Sequence, residues 1–164
     1  MMSNNLSNHT TITATVHQVC QDKSIKPLYA IESGSRAWGF SSPDSDYDVR
    51  LIYRHEPDWY LRLYAGKDTF EFIQNDLFEV PFDIGGWDVR KALQLLHKSN
   101  AVIFEWLDSP IMYHSDNQFL EAVKAVQNEF FDPKAIFYHY QGMAKNASGE
   151  LELDKPIKLK KWFI

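Results

Sequence analysis

The chain has 164 residues, of which 45% are hydrophobic and 15% aromatic, and its formal net charge is −5. That length suits one domain or one and a half, and that apolar content excludes a disordered chain. The acid excess excludes a broad basic surface of the kind that grips duplex DNA through its phosphates, but not a local basic groove or a nucleotide site.

Cys20 is the only cysteine, so no internal disulfide is possible and a reducing cytoplasm is the expected setting. Residues 1–15 are polar and hold no apolar stretch of signal-peptide length. No run reaches the roughly 18 apolar residues of a membrane span, so no membrane partner is expected.

In chain order, residues 1–10 read as a flexible polar tail. Thr11 to Gln21 then predicts a short helix, with Ile12, Val16 and Val19 at helical spacing. Leu28 to Glu32 predicts a buried strand that runs into Gly34-Ser35. A short helix is expected from Ser35 to Gly39, then a turn over Ser41 to Asp44, then a strand from Asp46 to Tyr53. Glu56 to Gly66 reads as a loop or short helix. Thr69 to Ile73 and Leu77 to Ile84 read as a hairpin across Gln74-Asn75-Asp76. After Gly85-Gly86 the pattern turns helical. Trp87 to Lys98 and Val102 to Leu107 are the first two helices, with Ser99-Asn100 as a stop or cap between them. Asp116 and Asp132-Pro133 cap two more. The expected organisation is therefore an α/β core over residues 11–86 and a helical region over residues 87–164, divided at Gly85-Gly86. Lys158, Lys160 and Lys161 form the densest basic cluster, and the uncapped apolar end Trp162-Phe163-Ile164 reads as a cut chain.

Gly34-Ser35-Arg36-Ala37-Trp38-Gly39, followed by Ser45-Asp46-Tyr47-Asp48-Val49-Arg50, carries the chemistry. A Gly-Ser turn lets backbone N–H groups approach phosphate closely. On the strand, Tyr47, Val49, Leu51 and Tyr53 point one way, and Asp46, Asp48, Arg50 and Ile52 the other. Alternate residues lie roughly 6.5 Å apart. Carboxylates at that spacing can converge on divalent ions, and magnesium favours such oxygen ligands together with substrate phosphates. Phosphatases of the haloacid-dehalogenase type also carry an Asp-x-Asp pair, but there the apolar run precedes the pair; here it follows. Asp83, a lone acid between Phe82 and Ile84, needs a reason, because a buried unpaired carboxylate is costly. It completes a three-acid constellation with Asp46 and Asp48, or it forms a structural ion pair with Arg50 or Arg90. The histidines are scattered and show no ligand spacing.

Gly34-Ser35, Ser45-Asp46-Tyr47-Asp48 and Phe82-Asp83-Ile84 together resemble the DNA-polymerase-β-type nucleotidyltransferase pattern. The stretches Glu32 to Phe40, Ser45 to Arg50, Trp87 to Leu93, Lys98 to Asn100 and Glu105 to Pro110 resemble the RNA-repair-associated branch more narrowly. The match runs from about Ile31 to Tyr113 and returns near Lys160-Lys161. The resemblance implies an α+β fold, a short mixed sheet flanked by helices and followed by a helical C-terminal region. In that family the Lys-Lys segment continues into a further helix. By motif position Asp46, Asp48 and Asp83 are metal ligands and catalytic acids, for two magnesium ions or manganese in their place. Gly34 and Ser35 would hold the β- and γ-phosphates, and Arg36 and Ser45 the phosphates or the acid pair. Arg90 and Lys91 would contact triphosphate or acceptor, or form a solvated helix face. The implied reaction moves NMP from NTP onto an acceptor hydroxyl, with an RNA end as one acceptor. Two other readings are a nucleotide-binding module without catalysis and an antitoxin that transfers AMP to a partner protein.

Overall fold

The computed structural model of the chain describes residues 2–149. Alternation along Tyr47–Arg54, β2, gives it one fully apolar face and a second face that is charged except at Ile52, and it becomes the central strand of a five-stranded sheet. Tyr47, Val49, Leu51 and Tyr53 enter one core, beneath Ile12, Val16, Val19 and Cys20 of helix α1 (Met2–Asp22). Ile52 enters a second core on the opposite face. There Leu28, Tyr29 and Ile31 of β1 (Lys26–Glu32) meet three helices: α3 (Val89–His97), α4 (Ala101–Leu107) and α5 (Asn117–Gln127). The order is β3-β4-β2-β1-β5, with β3 at Thr69–Gln74, β4 at Phe82–Asp88 and β5 at Met112–Ser115. β2 and β4 run parallel and the other pairs antiparallel, so the sheet is mixed, as the resemblance implied. Helices cover both faces and α6 (Pro133–Gly149) closes the described chain. The class is α+β.

The structure departs from the sequence reading at several places. α1 starts at Met2, not Thr11, so the polar stretch before Thr11 is helical. Its threonines return their hydroxyls to the preceding turn: Thr11 to Ser7 O, Thr13 to His9 O and Thr15 to Thr11 O, at 2.9–3.0 Å. Asn8 also donates to the Tyr47 hydroxyl at 2.8 Å, which ties this end of the helix to β2. The segment after Gly34 is a run of turns rather than a helix, and it ends at Gly39 with φ +80°. Leu77 to Val80 lies in a loop, and strand pairing resumes at Phe82. Gly85 and Gly86 are inside β4, not at a break. β5 was not foreseen; its four residues follow Pro110 and return the chain to the sheet beside β1. A short helix α2 occupies Pro57–Tyr60.

The caps fall where local chemistry puts them. Asp116 accepts from Phe119 N–H at 3.0 Å and Asp132 from Lys134 N–H at 2.9 Å. Asp88 and Asn100 cap α3 and α4 in the same way. The Lys158, Lys160 and Lys161 cluster, the apolar end Trp162-Phe163-Ile164 and the Lys160-Lys161 match lie outside the described residues. Among the described residues no helix is long and apolar enough to cross a membrane.

Candidate active site

The site is built at the head of β2, where the second face of the sheet turns from apolar to acidic. Glu32 ends β1 and is fully buried. Its carboxylate accepts the Asp48 backbone N–H at 2.8 Å and the Tyr113 hydroxyl at 2.7 Å. Burial pushes this carboxyl above the ordinary range, and the two hydrogen bonds pull against that. Ser33 N–H donates to Asp48 O at 2.8 Å, and Ser109 gives its hydroxyl to Glu32 O at 2.6 Å. These bonds stitch the start of the Gly-Ser turn to the backbone of Asp48. The approach is close: a Cβ on Gly34 would stand 2.1 Å from Asp48 Oδ2. Only glycine leaves space there for the carboxylate.

Arg36 turns back onto the strand entry. Its Nε donates to Asp46 O at 3.0 Å, its Nη2 to Ser45 O at 2.5 Å, and its guanidinium lies 4.0 Å from the Tyr47 ring centre. The buried Ser45 hydroxyl accepts Ser42 N–H at 2.9 Å. Arg36 and Ser45 therefore support the segment that carries the acids.

The parallel register sets Asp48 directly beside Asp83. Arg50, on the same face as Asp48, joins the two. Nη1 donates to Asp83 Oδ2 at 2.6 Å, and Nη2 stands 3.4 Å from Asp48 Oδ1. Burial raises the Asp48 carboxyl above its ordinary value; Arg50 opposes the rise, while Asp83 and Asp46 add to it. Asp46 sits just before β2 and is partly exposed.

Among the described residues no group of three or more His, Cys, Asp or Glu side chains is arranged to hold a metal ion. Arg50 touches two of the three candidate acids, which also lie within hydrogen-bond reach of each other. Asp46 and Asp48 nevertheless offer the hard oxygen donors that magnesium takes.

Lys91 and Arg90 belong to the opposite end of β4. Asp88 lies five residues beyond Asp83, roughly 16 Å along a strand. There Lys91 Nζ stands 3.6 Å from Asp68, and Arg90 lies over Trp59 and Tyr60 at 5.0 and 4.8 Å. Neither reaches the acids. Beside Asp83 opens a groove of about 550 Å³, bordered by Ser33, Arg50, Lys67, Gly85 and Trp106. Trp106 stacks on Trp87 at 3.8 Å between ring centres.

Glu32 and Tyr113 are the site residues that sequence reasoning gave no role at the site. An acid closing an otherwise apolar strand was the one local signal for Glu32, and it does not name a partner. Arg50 is the ion-pair partner of Asp83 that the sequence offered.

A mixed sheet with an acid pair at the head of its central strand, a third acid on the adjacent parallel strand and a Gly-Ser turn packed on the pair is a polymerase-β-like nucleotidyltransferase fold. The chain belongs to the RNA repair pathway DNA polymerase beta family, whose model matches residues 8–164. It is also 42% identical over 143 residues to the uncharacterized protein YcgL of Bacillus subtilis (strain 168). The matched region covers 87% of this chain and 54% of that relative, so the chain spans about half the relative's length.

Proposed function

We propose that this chain belongs to a metal-dependent nucleotidyltransferase that moves NMP from NTP to an acceptor hydroxyl and releases pyrophosphate. An RNA end is the acceptor to which the family's description points. One observation carries the reading: the Asp48 carboxylate lies where Gly34 would carry a side chain, so the acid pair and the Gly-Ser turn form one surface. A triphosphate on the turn and a divalent ion on the acids would be held together there.

In the proposed reaction the acceptor oxygen forms a bond to the α-phosphorus. The bond from that phosphorus to the bridging oxygen of the β-phosphate breaks, and pyrophosphate leaves with the electron pair. Asp83 would take up the acceptor's proton. Gly34 and Ser35 would present backbone N–H groups to the β- and γ-phosphates. Magnesium bound to Asp46 and Asp48, with a second ion reaching Asp83 and manganese as a substitute, would neutralise phosphate charge and orient the reactants. A cytoplasmic setting fits the single buried thiol of Cys20, whose pKa burial raises to about 11.

Calorimetric titration of ATP, GTP, CTP and UTP with magnesium tests the reading. Magnesium-dependent binding by the wild type, lost in Asp46→Asn/Asp48→Asn, is the expected result. Binding that ignores both the metal and the double substitution would overturn it. The Arg50–Asp83 ion pair favours a second reading, a nucleotide-binding module without catalysis. Binding without release of pyrophosphate in the presence of RNA ends or partner protein would select it, and label transferred to protein would select the antitoxin chemistry.

A further inference from the structure

Arg50 touches two neighbouring carboxylates that the proposed reaction needs for cations, Asp48 and Asp83, which also lie within hydrogen-bond reach of each other. Its fork reaches Asp83 at 2.6 Å and Asp48 at 3.4 Å, and Nη1 also donates to Val49 O at 2.9 Å. A guanidinium stays charged at every working pH, so it is a permanent cation in that place. It neutralises one of the three negative charges of Asp46, Asp48 and Asp83. The side chain is not locked in the core: it keeps 25% of its surface exposed and borders the groove beside Asp83. Its stem lies along Gly85, where even a Cβ would come within 3.3 Å of Cδ and Nη1. Gly85 therefore sets no side chain against Arg50 on that flank, and Lys67 lines the same groove.

We propose that Arg50 is a displaceable internal counter-ion, which holds the Asp48–Asp83 position until a second divalent ion takes it. The inference rests on the nucleotidyltransferase reading above. The free protein then binds one divalent ion, at Asp46 and Asp48. The second enters only when Arg50 leaves Asp83, and a substrate phosphate in the groove, met by Arg50 and Lys67 together, is the anion whose charge draws it away. In this scheme Arg50 sets the order of loading and meets substrate only through that phosphate.

Manganese titration, followed by the electron paramagnetic resonance signal of the free ion, tests this without any turnover. The wild type without nucleotide is expected to bind one Mn²⁺, and Arg50→Gln to bind two. A nearby opposite charge alters the occupancy of a carboxylate by tenfold or more, so the second ion should tighten by roughly that factor. Arg50→Gln/Asp83→Asn should return to one ion. If Arg50→Gln unfolds through repulsion between the acids, added Mn²⁺ should refold it, read by circular dichroism; a variant unfolded at every Mn²⁺ concentration would make Arg50 purely structural and overturn the proposal. One ion in the wild type, lost in Asp46→Asn/Asp48→Asn, with Arg50→Gln unchanged, would overturn the counter-ion role and leave the nucleotidyltransferase reading standing. No Mn²⁺ bound by either the wild type or Arg50→Gln would overturn both.

Discussion

Gly34 shows how one missing side chain can define a site. A methyl group there would press on Asp48 Oδ2 from 2.1 Å, and the neighbouring backbone cannot yield, because Ser33 and Glu32 are bonded to Asp48. Gly34→Ala should therefore leave the fold intact and push the carboxylate out of place. A displacement of about 1 Å at a reacting centre commonly costs about 10²-fold. We expect a loss of that order in the rate of pyrophosphate release from NTP and magnesium, with little change in Tm; an equal rate in the variant would show that the turn does not form the site. At this scale the sequence was legible wherever the signal is local. Asp48 and Arg50 share the face that alternation along one strand gave them, and the Arg50–Asp83 pair was one of the two roles foreseen for Asp83. Glu32 was not legible as a site residue, because its partner Tyr113 is 81 residues away. No local pattern says that a buried acid will find a hydroxyl at that distance.

Among the elements, β4 was read least well, and its two glycines explain why. Paired glycines normally mark a break. Here they give up side-chain space to neighbouring strands: Phe70 of β3 covers Gly86 on the first core face, and Arg50 of β2 covers Gly85 on the acidic face. The two substitutions should differ. A Cβ on Gly86 would lie 2.3 Å from Phe70 Cε1, against a ring packed in the core, so Gly86→Ala should destabilise by about 1–3 kcal/mol through overpacking. Gly85→Ala meets only the flexible stem of Arg50, at 3.3 Å, and should cost clearly less. Urea denaturation of both variants checks the order, and equal losses would contradict this account of the two faces. The helices were better read, since Asp116 and Asp132 cap them through bonds only two or three residues long. β5 escaped because four residues after a proline carry too short a pattern.

The molecule as a whole carries half-buried histidines whose protonation opposes folding. Burial lowers the pKa of His114 from the ordinary 6.5, and His17, edge-on at 4.9 Å, lowers it further; the Pro27 backbone and Asp116 pull the other way. A histidine lowered in the folded state contributes stability that is present above its unfolded pKa. That contribution is lost as pH falls through 6.5 towards the folded value. The wild type should therefore lose more stability between pH 7.5 and 5.5 than His114→Gln does, about the ordinary histidine pKa of 6.5. Paired urea titrations at the two pH values give the difference; parallel losses would remove His114 as the cause.

The parallel seam between β2 and β4 has a kinetic consequence. Arg50 and Asp83 stand 33 residues apart in the chain, and β3, which lies between them in sequence, ends at the outer edge of the sheet. Antiparallel β1–β2 and β3–β4 units can each form from nearby segments, but the seam that joins them must close a longer loop. The acids, their guanidinium and the groove all straddle that seam. A half-folded chain thus carries strands and turns but no assembled phosphate-transfer centre, and nucleotide recognition should appear during refolding only after most of the backbone structure is in place.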